Sequence, residues 1–181
     1  MSMLHIRQGA TTGINRNYPD GWPSSQEPAV GCPNIVGNFA NRGSSYSYSP
    51  LGGSHYLAHR FGMSIKTLRE LDSIDTIRIH PIKDDEIIVN ALKSGEVVNS
   101  RRLSFATKEV SCDRGALVFV SNATIQADGF GVAARKSAMW LQSGADGSII
   151  GEEKSSVVAG ALFLVPMAGS QTFWYRWTSR Q

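Results

Sequence analysis

Two neighbouring stretches, Thr76-Ile77-Arg78-Ile79-His80 and Glu86-Ile87-Ile88-Val89-Asn90-Ala91-Leu92, decide the fold class. Ile77 and Ile79 alternate with Arg78 and His80, and Ile87, Val89 and Ala91 oppose Ile88, Asn90 and Leu92. This period of two is the mark of strands with one face turned to a core. Further candidate strands lie at 97–104, 108–112, 116–121, 132–142, 148–153, 156–165 and 172–178, after a short first strand at 34–41. Turn signals separate them: Ser94-Gly95, Asp113-Arg114-Gly115, Asp128-Gly129, Asp146-Gly147 and Ala168-Gly169. About eight to ten short strands at intervals of about 8 to 12 residues leave little room for crossover helices. The expectation is an all-β, antiparallel domain, either an up-and-down barrel or a sandwich, closure having the merit of removing edge strands.

One segment departs from this rhythm. In Ser54 to Phe61, Ser54 can cap a helix, and Leu57 and Phe61 share a face at the i, i+4 spacing, so one short helix is expected there, with a continuation past Gly62 towards Leu71 as an option. Residues 1–31 are rich in Gly, Asn, Pro, Ser and Thr without sustained period and read as a flexible tail or linker, in which Trp22 is the one residue suited to docking on the body. The remaining residues, 32–181, form a single β domain.

Composition narrows the functional classes. Hydrophobic residues make up 41% of the chain and charged residues 18%, which excludes a disordered chain. The net charge of +3 is scattered rather than gathered into a stripe, so no nucleic-acid partner is expected. The longest nearly apolar run, Gly160 to Gly169, falls short of the roughly 20 residues of a membrane helix, and no membrane span is expected. The first residues lack a hydrophobic signal core, which fits either a cytosolic chain or one whose export signal was removed or replaced. Cys32 and Cys112, the two cysteines, are too far apart for a CxxC redox or zinc pair. That leaves a long-range disulfide or two unrelated thiols, and the disulfide is expected.

Read in order, Cys32-Pro33-Asn34-Ile35-Val36-Gly37-Asn38-Phe39-Ala40-Asn41-Arg42-Gly43, a short helix, and a meander containing Val110-Ser111-Cys112-Asp113-Arg114-Gly115 and Asp146-Gly147-Ser148 resemble uncharacterised proteobacterial envelope lipoproteins over residues 32–181. The resemblance implies an exported protein, periplasmic or held at the outer membrane of a Gram-negative bacterium by an N-terminal lipid anchor that this chain does not carry. Ala29-Val30-Gly31 before Cys32 looks a little like a lipidation box, but the polar GWPSSQEP ahead of it suits Cys32 to pairing with Cys112 instead. A second resemblance is to lipocalins. Gly37-Asn38-Phe39 stands where their first strand has Gly-x-Trp, and Arg176 where a late Arg packs over that ring, implying a closed barrel with a lipid or other small apolar ligand.

Candidate chemistry is sparse. His55 and His59 stand at i and i+4, a spacing that can hold a metal, but the following residue is Tyr56 where zinc proteases place a general base. Gly129-Phe130-Gly131-Val132-Ala133-Ala134 fits a dinucleotide fingerprint in the wrong setting and reads as a hairpin turn. Gly52-Gly53-Ser54-His55-Tyr56 lacks the closing Gly of a nucleophile elbow. The acids Asp84-Asp85-Glu86 and Glu152-Glu153 are assigned to turns and strand ends, as solvated charges. In Phe173 to Trp177, Phe173, Tyr175 and Trp177 share one strand face and Trp174 and Arg176 the other. If one face is core, Trp174 and Arg176, with Phe39 and Trp140, are the candidate ligand contacts. The expected function is a non-catalytic envelope binding or structural module without a cofactor, taking a small apolar ligand or an envelope protein. The alternatives are a partner-docking component acting through the 1–31 tail, and a hydrolase built on His55 and His59.

Overall fold

The computed structural model describes residues 18–26, 31–47, 55–120, 124–128, 131–161 and 164–181. Along the chain run β1 (Ser25–Gln26), β2 (Gly37–Ala40), β3 (Ser44–Ser47), α1 (Leu57–Arg60), α2 (Leu68–Ser73), β4 (Thr76–Ile79), β5 (Glu86–Lys93), β6 (Glu96–Ser104), β7 (Ser111–Asp113), β8 (Ala116–Val120), β9 (Thr124–Asp128), β10 (Gly131–Gly144), β11 (Ile149–Ala161), β12 (Leu164–Trp177) and β13 (Ser179–Arg180). The larger sheet has the order β3-β12-β11-β10-β8-β7, with β1 and β9 also paired to β10, and the smaller one the order β13-β2-β4-β5-β6. Every pairing is antiparallel. The fold is all-β, as expected, and of the two expected architectures it is the sandwich: neither sheet closes into a barrel. Among the described residues no helix is long and apolar enough to cross a membrane.

The period-two stretches form the smaller sheet as read. Ile77, Ile79, Ile87, Val89 and Ala91 are buried with Phe39 and Leu103, and they share one core with Leu117, Met139, Leu141, Ile149, Phe173, Tyr175 and Trp177 of the larger sheet. Two hairpins turn on two residues of positive φ, as a turn matched to strand twist requires: Ser94 (52°) with Gly95 (85°), and Arg114 (47°) with Gly115 (75°). At Gly151 a β-carbon would lie 2.8 Å from the Trp177 ring, so the indole packs directly on backbone there. After β12 the chain crosses from the larger sheet to the smaller one, where Ser179 and Arg180 pair with Phe39 and Asn38.

Three expectations change. The single helix becomes two, because Tyr56 is extended and bridges to Arg42, leaving α1 only four residues. Gly62 at φ +62° then ends the turn, while Leu57 and Phe61 are buried as their spacing implied. α2 has its own start, Thr67 Oγ1 accepting from the Glu70 amide at 3.1 Å. The strands expected at 148–153 and 156–165 run together as β11, which ends at Ala161, while Leu164 and Val165 already belong to β12. The charges of Glu152, Glu153 and Lys154 read as a break, yet Glu153 is buried, its carboxylate 2.9 Å from Arg60 and accepting from the Tyr175 hydroxyl at 3.0 Å. Residues Tyr18–Gln26, inside the expected tail, pack on the body: Pro19 is buried and β1 pairs with β10. The expected cap Ser54 and the fingerprint residues Gly129 and Phe130 lie outside the described residues. Register pairing of Asp128 with Gly131 makes that connection a hairpin.

Cys32 and Cys112 form a disulfide across 80 positions, with Cα atoms 5.1 Å apart. It ties the segment entering β2 of the smaller sheet to β7 at the edge of the larger one. On the chain-entropy account, closing so long a loop contributes about 4 to 5 kcal/mol. The double substitution Cys32→Ser/Cys112→Ser is therefore expected to lower unfolding free energy by about that amount in urea titration. The oxidised protein, once reduced, should fall to the same midpoint as the variant.

Candidate functional site

Strand alternation builds one aromatic face. The register of β10, β11, β12 and β3 sets Trp140 opposite Glu152, Glu152 opposite Trp174 and Trp174 opposite Tyr46. These residues therefore form a cross-strand row on the face away from the core residues Met139, Leu141, Phe173 and Tyr175. Two strand spacings put the Trp140 and Trp174 backbones about 10 Å apart. One row along, Lys154 holds its ammonium 5.0 Å above the Trp140 ring and 3.1 Å from the Glu152 carboxylate. On the other side Arg176 pairs with Asp146. Burial would raise the Asp146 carboxyl, but hydrogen bonds from Ser148 and Arg176 outweigh it and hold the pKa below the usual carboxylate range.

The segment 18–26 caps part of this face. Tyr18 sets its ring edge-on against Trp174, centroids 4.9 Å apart, and against Trp22 at 6.5 Å. Trp174 is only 6% exposed, whereas Tyr46 is 40% exposed and Trp140 is half-buried. Two buried donors, Trp174 Nε1 and Arg176 Nε, meet no acceptor among the described residues. An orphaned buried donor costs about 1 to 3 kcal/mol, which an incoming acceptor would recover. The face thus offers planar apolar rings with polar groups between them.

Of the expected ligand contacts, Trp140, Trp174 and Arg176 are brought together. Phe39 is not among them. It lies in the core on the inner side of the smaller sheet, so the expected stack of Arg176 over Phe39 is absent. The cation over a ring is instead Arg60, 4.2 Å from the Tyr175 centroid. Tyr46 has no assigned role in the sequence reading, although Tyr46 and Tyr48 alternating with serines carry a strand-like period.

His55 and His59 do not share a helical face, since α1 begins at Leu57. The His55 ring stacks on Tyr56 at 4.7 Å, and its Nε2 accepts from Arg42 Nε at 3.1 Å. Among the described residues no group of three His, Cys, Asp or Glu side chains has metal-binding geometry. A shallow recess of about 250 Å³ adjoins the disulfide, lined by Pro33, Ile35, Val36, Ile82 and Leu117 among others.

No family model, curated protein or solved structure matches this chain.

Burial and the neighbouring Arg42 hold His55 below its ordinary value, and burial with Arg60 does the same for His59 against a smaller opposing effect of Glu153. Both folded-state values lie below the unfolded value of about 6.5, so the unfolded chain takes up these protons first as pH falls. The stability they allow is fully present above the unfolded pKa and declines as pH drops towards the folded ones. Urea midpoints measured from about pH 7.5 to 5.5 should fall with acidification. The double variant His55→Gln/His59→Gln should flatten that slope.

Proposed function

We propose that this chain is a non-catalytic binding module of an oxidising bacterial-envelope compartment. It holds a small amphipathic ligand, one with a flat or chain-like apolar part, against the row of Trp140, Trp174 and Tyr46. The observation that carries the reading is the row itself: three aromatic side chains in strand register on the face away from the core, among them Trp174, whose Nε1 meets no acceptor among the described residues. Rigid aromatics supply contact area at small entropic cost, and few convergent polar groups fix orientation, as in ligand sites generally. The Cys32–Cys112 bridge supports the compartment, because structural disulfides persist where the surroundings are oxidising. The envelope lipoproteins that the sequence resembles belong to such a compartment.

Protein exported to a bacterial periplasm is expected to show, in native mass spectrometry, a non-covalent adduct on a chain whose mass is that of the oxidised form. Trp140→Ala should weaken retention of that adduct about tenfold or more while leaving the disulfide and the fold intact. Trp140 is the better target, since truncating the buried Trp174 would cost about 3 to 5 kcal/mol of stability by itself. A bare protein from the periplasm, or an adduct indifferent to Trp140→Ala, would overturn the assignment.

A further inference from the structure

The smaller sheet has a second face, and it is built from polar residues and arginines. Phe39, Ile77, Ile79, Ile87, Val89 and Leu103 point into the core, so alternation turns the residues between them outward. Register lines these up across all five strands: Arg180 on β13, Asn38 on β2, Arg78 on β4, Asn90 on β5 and Ser100 on β6. In the next row the His80 amide donates to the Ile88 carbonyl at 2.9 Å, and Ile88 stands opposite Arg102. Arg78, Ile88, Ser100, Arg102 and Arg180 are exposed, and Asn38, His80 and Asn90 are half-buried. Positions 78, 102 and 180 are far apart in sequence. The strand order places them on alternate strands, along one diagonal of the face, with backbones about 10 to 12 Å apart at the usual strand spacings.

The side chains of these rows hold one another in place. Asn38 Oδ1 accepts from Arg78 Nε at 2.9 Å, Ser100 Oγ donates to Asn90 Oδ1 at 2.8 Å, and Asn90 Nδ2 lies 3.0 Å from His80 Nε2. A guanidinium pinned through Nε keeps the fork of its two terminal nitrogens for another acceptor, and that fork matches the two oxygens of a carboxylate. Neither row contains Asp or Glu. The acids stand at the margins: Asp75 is 3.9 Å from Arg180, which also donates to Thr76 Oγ1 at 3.3 Å, and Glu86 is 3.3 Å from Arg102. Both pairs face solvent, with the Arg180 and Arg102 side chains 48% and 67% exposed, and exposed pairs of this kind contribute little and exchange readily.

We propose that this face binds an acidic linear polysaccharide, its carboxylates engaging Arg180, Arg78 and Arg102 in turn as the chain crosses the strands. Charge complementarity selects the acid: three cations on a diagonal whose rows hold no anion. The groups between them select the sugar, since the amides of Asn38 and Asn90 and the Ser100 hydroxyl can each donate to and accept from sugar hydroxyls. Other anionic partners fit less well. Single-stranded nucleic acid stacks its bases on aromatic rings, and these rows have none beyond the His80 imidazole. A membrane surface takes inserted apolar side chains, and a protein partner an apolar interface centre, for which Ile88 alone is too little. The proposal goes beyond the binding reading above, because it lies on the other sheet and uses none of the same residues.

The test is affinity electrophoresis of the full-length, oxidised protein through gels containing polygalacturonate, with methyl-esterified polygalacturonate as the uncharged control. Polygalacturonate should retard the protein, less so as salt is raised, and the ester should not. Arg78→Gln should weaken the interaction about tenfold or more. Arg78→Lys should restore part of it, because the charge returns without the fork. Asn38→Ala, which frees the guanidinium while keeping its charge, should fall between the two. Near-UV circular dichroism and an unchanged urea midpoint establish that each variant is folded. Absence of retardation at low salt, equal retardation by the ester, or retardation indifferent to Arg78→Gln would overturn the proposal. So would tighter binding to phosphatidylglycerol vesicles that Arg78→Gln abolishes, which would give the face to a membrane. Trp140→Ala should leave retardation unchanged, and Arg78→Gln should leave the native-mass adduct in place, so the two readings stand or fall separately.

Discussion

The placement of Glu153 governs much of this structure. Its carboxylate and the Arg60 guanidinium, 8% and 10% exposed, are both taken out of water, a step tolerable only because each satisfies the other and Tyr175 donates to the same oxygen. Arg60 closes α1, so the pair fastens the helical connection to the middle of the larger sheet. It also sets parity. A slip of one residue in β11 would put Lys154 inside against Arg60 and turn Glu153 outward, and in a period-two element such a slip would send every neighbour to the wrong face. The rows of Trp140, Lys154 and Lys136 on the outer side are thus fixed by a carboxylate on the inner side.

That coupling explains how one sheet serves two surfaces. Over the body, the inner residues of β10, β11 and β12 pack against the smaller sheet, and the outer ones form the aromatic row capped by Tyr18.

Much of this was legible from sequence where the signal is local. Ile77 to Ala91 announced their strands by period, and Phe173 to Trp177 announced which rings face inward. Cys32 and Cys112 were the sole candidates for a bridge. What sequence concealed was non-local. Glu152-Glu153-Lys154 looks like a solvated break until Arg60, 93 positions away, is known to lie beneath it. The helix at 54–61 was overestimated because the bridge from Tyr56 to Arg42 captures a backbone that local spacing would have left helical. The docking of Tyr18 depends on Trp174, far along the chain, and a stretch rich in Gly and Pro gives no hint of it.

The pairing of Ser179 and Arg180 with Phe39 and Asn38 bears on the order of assembly. β2 lies between β4 and β13, so one of its edges can be satisfied early by a near neighbour, while the other waits for residues almost the whole domain away. Closing that loop must offset a large chain entropy before the contact returns anything, which is the circumstance in which antiparallel β domains fold slowly. Until it closes, an unpaired strand edge beside the Phe39 side of the core is open to other chains. The disulfide at Cys32 stands just ahead of β2, and by shortening the search for that edge it shields the most vulnerable stage of folding as well as the finished domain.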